Sequence, residues 1–220
     1  MEHDKTLRKM TEKPIINREP MFQQAKVNSS PQFSKARRLA FIGMMGALSN
    51  VLFLASITVL NWGQVSLDLS HMGTLIAALF AGPLAGSAVG IIAGLGSGLY
   101  FGSASGLIWL FLPGFIIGKA LTGFTVGFLR KTFGLMEKKR KSLLTIVFTL
   151  TGYVPECLFT ILFFLVLIPL FAPPAAASYL TPLLTPILVK AWIEMGIMGF
   201  YMAALAGNQG FTSLVIRLWA

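Results

Sequence analysis

Charge is scarce in this chain. Only 12% of its 220 residues are Asp, Glu, Lys or Arg, against about 25% in soluble domains, so water is excluded as the main solvent of its surface. Acids are scarcer than bases, 8 against 18. The single cysteine, Cys157, excludes an internal disulfide and implies no oxidising compartment. It sits in an apolar run, where a thiol serves as a small packed hydrophobe. The two histidines are His3 and His71, and with one cysteine they are too few for the clustered ligands a metal site needs. A Ser–His or Cys–His nucleophile would have to use His71. No metal, no cofactor and no enzymatic activity are therefore expected.

Apolar residues are what the chain has in quantity. Hydrophobic residues make up 55% and the mean hydropathy is +0.74, concentrated in several long runs between Leu39 and Ala206. A span needs about 20 apolar residues, and in hydrocarbon every backbone donor and acceptor must be satisfied internally, which leaves helices or a closed barrel. The runs are too long and too unalternating for barrel strands. The reading is an all-α integral membrane protein of about six transmembrane helices: Ala36–Leu60, Leu69–Gly82, Leu84–Phe101, Phe111–Lys131, Leu143–Phe171 and Thr181–Gly207. The second is short, hence tilted or only partly crossing. Residues 1–35 are polar and aperiodic, which predicts a disordered cytoplasmic tail, too long for the charged region of a signal peptide. Residues 36–207 form the bundle and 208–220 a cytoplasmic C-terminal tail.

The net charge of +10 invites a nucleic-acid reading, but the placement of the cations argues against one. Nine Lys and Arg lie up to Arg38, six lie at Arg130, Lys131, Lys138, Lys139, Arg140 and Lys141, and Arg217 follows the last helix. The loops Asn61–Ser66, Gly102–Gly106 and Ala172–Tyr179 hold none. Six crossings place every loop cation on one face, as the positive-inside rule requires, with both termini cytoplasmic. Anionic lipid headgroups account for the basic balance, and no nucleic-acid partner is expected.

Six ionisable groups remain inside or at the ends of helices: Asp68, His71, Lys119, Glu156, Lys190 and Glu194. A charge at mid-bilayer costs about 3 kcal/mol on insertion scales, so such groups pair or line a wet cavity. All six fall in the outer half or at mid-depth. For each a structural role competes with substrate binding. Asp68 or Ser70 can cap the second helix, Lys119 can snorkel outward, and Lys190 and Glu194 share a helix face as an i,i+4 pair. His71 can be an ordinary interfacial histidine. Glu156 follows Pro155 and Gly152, which loosen the helix around it. Trp62, Trp109 and Trp192 fall toward the same outer side. Headgroup anchoring is the ordinary role there, with Trp62 also a candidate pocket wall. The expected pocket is roofed by Asn61–Ser66 and Gly102–Gly106 and lined by helices four to six.

Small residues supply the scaffold. Ala36, Ala40, Gly43 and Ala47 run along one flank of the first helix, suited to close packing inside the chain or against a separate membrane partner. Gly82-Pro83 ends one helix and starts the next, and Gly86, Gly90, Gly94 and Gly98 form a smooth strip on the third. The segment Gly114–Gly118-Lys119-Ala120 is a near-miss to a phosphate-binding loop, with three residues between the glycines where four are needed and no Ser or Thr after the lysine; it is rejected.

The runs DLS–GTLIAALFAGPLAGSAVG and LPGFIIGKALTGFTVGFL resemble the substrate-binding S components of energy-coupling-factor (ECF) vitamin transporters, over roughly Ala36 to Gly207. The resemblance rests on the small-residue first helix, the aspartate at the start of the second, the G-P-x-x-G junction and the glycine-spaced fourth helix. It implies a multi-pass subunit in a prokaryotic cell membrane that binds a vitamin-like solute and docks on a membrane coupling subunit and two cytoplasmic ATPases. The flank Ala36, Ala40, Gly43, Ala47 matches the family's docking face. The competing reading is a structural subunit on the same scaffold, of the cell-shape type, with no solute ligand. The topology has its own test: in a Cys157→Ser background, an impermeant maleimide should label Ala104→Cys in intact cells and Lys138→Cys only after permeabilisation. The reverse pattern overturns the orientation.

Overall fold

The computed structural model describes residues 31–59, 61–62, 65–66, 68–135 and 140–219. Of the expected tail over residues 1–35, residues 1–30 lie outside the described residues, as do the cations Lys138 and Lys139, while residues 31–35 belong to the first helix, which starts at Pro31 and not at Ala36. Residues Arg37–Ala220 form one compact unit. Its helices are α1 (Pro31–Val59), α2 (His71–Ala81), α3 (Pro83–Ser105), α4 (Ile108–Thr132), α5 (Lys141–Phe171), α6 (Pro174–Gly207) and α7 (Gln209–Trp219). Between α1 and α2 a two-residue antiparallel ladder, β1 (Asn61–Trp62) with β2 (Val65–Ser66), pairs Asn61 with Ser66 and Trp62 with Val65. Five helices, all but α2 and α7, are long and apolar enough to cross a membrane. Their outward faces are apolar too: Leu39, Leu84, Leu158 and Phe200 are more than 60% exposed, which in water would be a liability and in lipid is solvation.

At 11 residues and 1.5 Å per residue, α2 is about 16 Å long, too short for the roughly 30 Å hydrocarbon layer. It is also the most enclosed element, with every residue from Gly73 to Phe80 buried. The bundle wraps it on all sides, so it needs no lipid-facing stripe, and its sequence has none. Gly82 stops it at φ +105°, a backbone conformation that side chains with a Cβ rarely adopt. Pro83 starts α3 where no N–H is needed.

The glycine strip on α3 lies against α4 at backbone distance. A Cβ at Gly94 would sit 2.6 Å from Ile116 Cα, one at Gly98 2.7 Å from Leu112 Cα, and one at Gly90 2.9 Å from Ala120 Cα. From the other side, a Cβ at Gly127 would sit 2.6 Å from Pro83 Cα. Such contact is available only to glycine, and in lipid it is van der Waals packing that holds helices together. Asn50 ties α1 to α3, its amide donating to Ile92 O at 2.9 Å while its Oδ1 accepts from Gly96 N–H at 3.0 Å.

Three further boundaries differ from the sequence reading. The third helix runs on to Ser105, so Gly102–Gly106 is mostly helix; Gly106, at φ +71°, alone makes the cap. The sixth helix begins at Pro174 and passes through a 3₁₀ turn at Thr181–Leu183, so most of the expected loop Ala172–Tyr179 is helical; Pro174 stands in the first turn, where no N–H is needed and its fixed φ suits a helix start. Residues 208–220 hold α7, which packs Phe211 on Phe80 (ring centroids 5.5 Å) and Trp219 on Phe41 (5.8 Å). Arg38 lies 5.2 Å over the Trp219 ring.

Gly94→Val should destabilise the bundle by at least about 2 kcal/mol through overpacking, whereas Gly43→Ala, with nothing within 4 Å of the added carbon, should leave stability unchanged. Thermal unfolding of both variants in detergent checks the contrast.

Candidate functional site

The site is built around a short stretch of non-helical backbone. Asp68 to Ser70 lead into α2 without helical hydrogen bonds, and each of their N–H groups is taken by a side chain. The Asp68 N–H donates to Glu194 Oε1, the Leu69 N–H to Ser56 Oγ at 3.2 Å, and the Ser70 N–H to Asp68 Oδ1 at 2.9 Å. Irregular backbone is tolerated at membrane depth only where protein or a wet cavity satisfies it, and here α1, α6 and the segment itself do so.

Lys119 holds this segment in place. Its ammonium donates to Asp68 Oδ2 at 2.8 Å, to Ser97 Oγ at 2.7 Å and to Ser70 Oγ. An ammonium has three donors, and all three are engaged. The side chain is 1% exposed, with the Phe53 and Phe115 rings 5.8 and 5.9 Å from its nitrogen. Snorkelling is thus corrected: Lys119 reaches inward to a carboxylate, because the glycines of α3 bring α4 close enough for a buried pair. Helix capping by Ser70 is corrected too. Its side chain makes no cap bond, and its hydroxyl instead accepts from Lys119.

Two further ionisable pairs stand beside this unit. His71 Nε2 lies 3.1 Å from Glu156 Oε2, which also accepts from Thr122 Oγ1. Lys190 Nζ lies 3.3 Å from Glu194 Oε1, the i,i+4 pair that the spacing offered. Tyr153 also lines the cavity, its ring 6.3 Å from the His71 ring and 5.4 Å edge-on to Trp192. Trp192 therefore backs a wall residue and does not itself line the pocket. Trp109 is 58% exposed near the start of α4, in keeping with an anchoring position. The Trp62 side chain, expected in the pocket wall, lies outside the described residues.

All six expected ionisable residues border one cavity of about 380 Å³, within the range of small-molecule sites. The lining extends beyond helices four to six. The segment before α2 contributes Asp68, the first residue of α2 contributes His71, and the end of α3 contributes Phe101 and Ser105. The charged groups occupy one end. Toward the α3–α4 and α5–α6 connections the walls turn aromatic: Phe101 stacks on Phe115 at 5.4 Å, and Phe111 meets Phe163 edge-on at 5.3 Å. Phe163 and Phe164 open a π-helical turn, Phe163–Leu167, in α5, a distortion that accompanies functional sites.

Sequence reasoning missed Ser97, Thr122, Tyr153 and the phenylalanine wall. A signal existed for the wall, since Phe111 with Phe115 and Phe159 with Phe163 each repeat at a helical step. For the hydroxyls there was none, since serines and threonines also occur where they bond only their own helix, as Thr125 does.

The small flank of α1 is open. Ala36, Ala40, Gly43 and Ala47 are exposed, and the inward glycine of α1 is Gly46, whose added Cβ would meet Ile92.

A family model described as ECF transporter, substrate-specific component matches residues 37–206. The chain belongs to this family. It is accordingly a multi-pass cell-membrane protein and the substrate-specific subunit of an ECF transporter, a binding subunit that works in complex with the membrane and ATPase subunits of that system. Comparison with curated proteins and with solved structures finds no match. In this S component the bundle from Arg37 to Ala206 carries both the cavity and the lysine-pinned segment.

Removing one partner of a buried ion pair leaves the other charge uncompensated. Lys119→Met should therefore cost about 3–5 kcal/mol, and adding Asp68→Asn should recover at least about 1 kcal/mol. A double-mutant cycle by denaturant unfolding in mixed micelles measures both; strict additivity would contradict the pairing.

Proposed function

We propose that this S component captures a vitamin or vitamin-like small molecule from outside the cell in the cavity between α3, α4, α5 and α6, and that ATP hydrolysis for its import is supplied by two partner ATPases through a membrane coupling subunit. The observation that carries the reading is the amphiphilic cavity: charged groups at one end, phenylalanines along the walls, and a volume of about 380 Å³ suited to a flat, polar ring. A purely structural subunit would have no use for such a void, since empty space in a packed interior forfeits dispersion contacts.

Within this reading the six ionisable residues divide. Glu156, His71, Lys190 and Glu194 meet the solute. Asp68 and Lys119 border the cavity but act by fixing the backbone beneath it. Trp62, on the hairpin between α1 and α2, belongs to the roof. Binding needs no covalent chemistry, cofactor or metal. Ala36, Ala40, Gly43 and Ala47 form the docking flank for the coupling subunit; their exposure, beside outward-facing Leu39, Met44, Val51 and Leu54 on the same helix, supports that role.

The chain purified alone should bind its solute with Kd below about 10 μM in calorimetry against B-vitamins and their precursors. Glu156→Ala should weaken that binding at least about 10-fold, the effect of losing one charged hydrogen bond. No binder in the set, and equal affinity in the variant, would each count against the proposal.

A further inference from the structure

The polar atoms that face the cavity are not evenly divided between donors and acceptors. Asp68 and Lys119 are closed on each other: the three ammonium donors are engaged, Asp68 Oδ2 accepts from Lys119, and Oδ1 accepts from Ser70 N–H. What remains for a ligand is the rest of the set. Glu156 receives both Thr122 and His71 on Oε2, so Oε1 has no hydrogen-bond partner among the described residues. Glu194 receives both Asp68 N–H and Lys190 on Oε1, so Oε2 stands in the same condition. His71 Nδ1 is buried without a partner, and with Nε2 donating to Glu156 it is a bare acceptor. Against these three acceptors the described residues of the lining offer the free N–H groups of Lys190 as cationic donors, and hydroxyls such as those of Tyr153, Thr160 and Tyr179, which can donate or accept and so favour neither kind of solute.

Formal charge points the same way. Asp68, Glu156 and Glu194 give three carboxylates against two permanent cations, Lys119 and Lys190, and both cations already contact a carboxylate. An anionic solute would have to share Lys190 with Glu194 and add its own charge to three carboxylates held by two cations. A solute that brings donors meets acceptors already in place.

We infer that, within the solute-binding reading above, the cavity of this S component selects a compact heteroaromatic solute that is neutral or singly cationic and rich in N–H donors, seated with its donors on Glu156, His71 and Glu194 and its ring among Phe115, Phe159 and Phe163, and that it rejects carboxylate-bearing analogues of the same ring. Charged hydrogen bonds supply the discrimination, because a buried acceptor left unmatched costs more than a matched one gains. The aromatic faces add an electrostatic attraction for a cationic ring or amine.

Matched probes test this with the full chain in nanodiscs. Pyridoxamine is compared with 4-pyridoxate, and tryptamine with indole-3-acetate, by calorimetry, while any small molecule carried by the chain from its native host is released and identified by mass spectrometry. The expected result is that the amine of at least one pair binds about 10-fold or more tighter than its acid, or that the carried molecule is neutral or cationic with N–H donors. In Glu156→Gln, which keeps an oxygen for Thr122 and His71, that preference should fall at least about 5-fold with the elution profile unchanged. Tighter binding of an acid, or an anionic carried molecule, overturns the inference and leaves solute binding intact. If neither probes nor a carried molecule bind, the solute-binding reading itself fails.

Discussion

A membrane interior supplies no water to backbone that leaves the helix, and the organisation of this protein follows from how it answers that constraint at Asp68–Ser70. The three N–H groups there are held by Glu194, Ser56 and Asp68, drawn from α6, α1 and the segment itself. Lys119 then fixes the aspartate and Ser70, with Ser97 of α3 as its third acceptor. Without that satisfaction each orphaned group would cost several kcal/mol. The short α2 is possible for the same reason. Because side chains of the surrounding helices complete the backbone at its start, an 11-residue helix can occupy the middle of a bundle of five helices long enough to span.

The glycine strip is the precondition for the lysine. Lys119 lies on the face of α4 that meets Gly90, and its own backbone is among the nearest atoms to that glycine. Bringing two helices to backbone contact at Gly90, Gly94 and Gly98 places the Lys119 Cα close to the layer of Ser97 and Asp68, within reach of a side chain that would otherwise extend to the membrane surface. Local sequence, helix packing and polar satisfaction thus agree, which is what distinguishes a sequence that specifies one arrangement from one that merely partitions into lipid. The buried Asp68–Lys119 pair is not in itself a gain over apolar packing. Its value is that it can be satisfied in only one register of α4 against α2 and α3.

Much of this was readable from residue order. Five long helices, the break at Gly82-Pro83, the small flank of α1 and the grouping of Asp68, His71, Lys119, Glu156, Lys190 and Glu194 all follow from hydropathy, proline and glycine placement, and the cost of charge in hydrocarbon. What could not be read was which charge meets which. Lys190 and Glu194 are four residues apart, so their pairing is local and legible. Asp68 and Lys119 are 51 apart and His71 and Glu156 are 85 apart; those pairings depend on helix rotation, which hydropathy leaves undetermined in a helix apolar all round. The helical start at Pro174 is illegible for a different reason: Pro173-Pro174 and the alanines after them carry no apolar period, and a first-turn proline fits a helix start as well as a loop.

The division of labour among these pairs explains how a receptor can be both rigid and available. A charge that has exhausted its hydrogen bonds contributes shape; a charge with a free lone pair contributes recognition. Glu194 has one oxygen in each role, since Oε1 secures the Asp68 backbone and Lys190 while Oε2 is open. Any solute that draws on Glu194 therefore pulls on the group that also holds the start of α2, and the adjacent Leu69 N–H is bonded to Ser56 of α1, the helix that carries the exposed small flank. In the receptor proposed above, two hydrogen bonds and one peptide unit join a carboxylate of the cavity to the helix proposed to dock. Asn50 makes the other polar tie from α1, to Ile92 O and Gly96 N–H of α3; the path through Leu69 and Ser56 is the one that starts at a carboxylate lining the cavity.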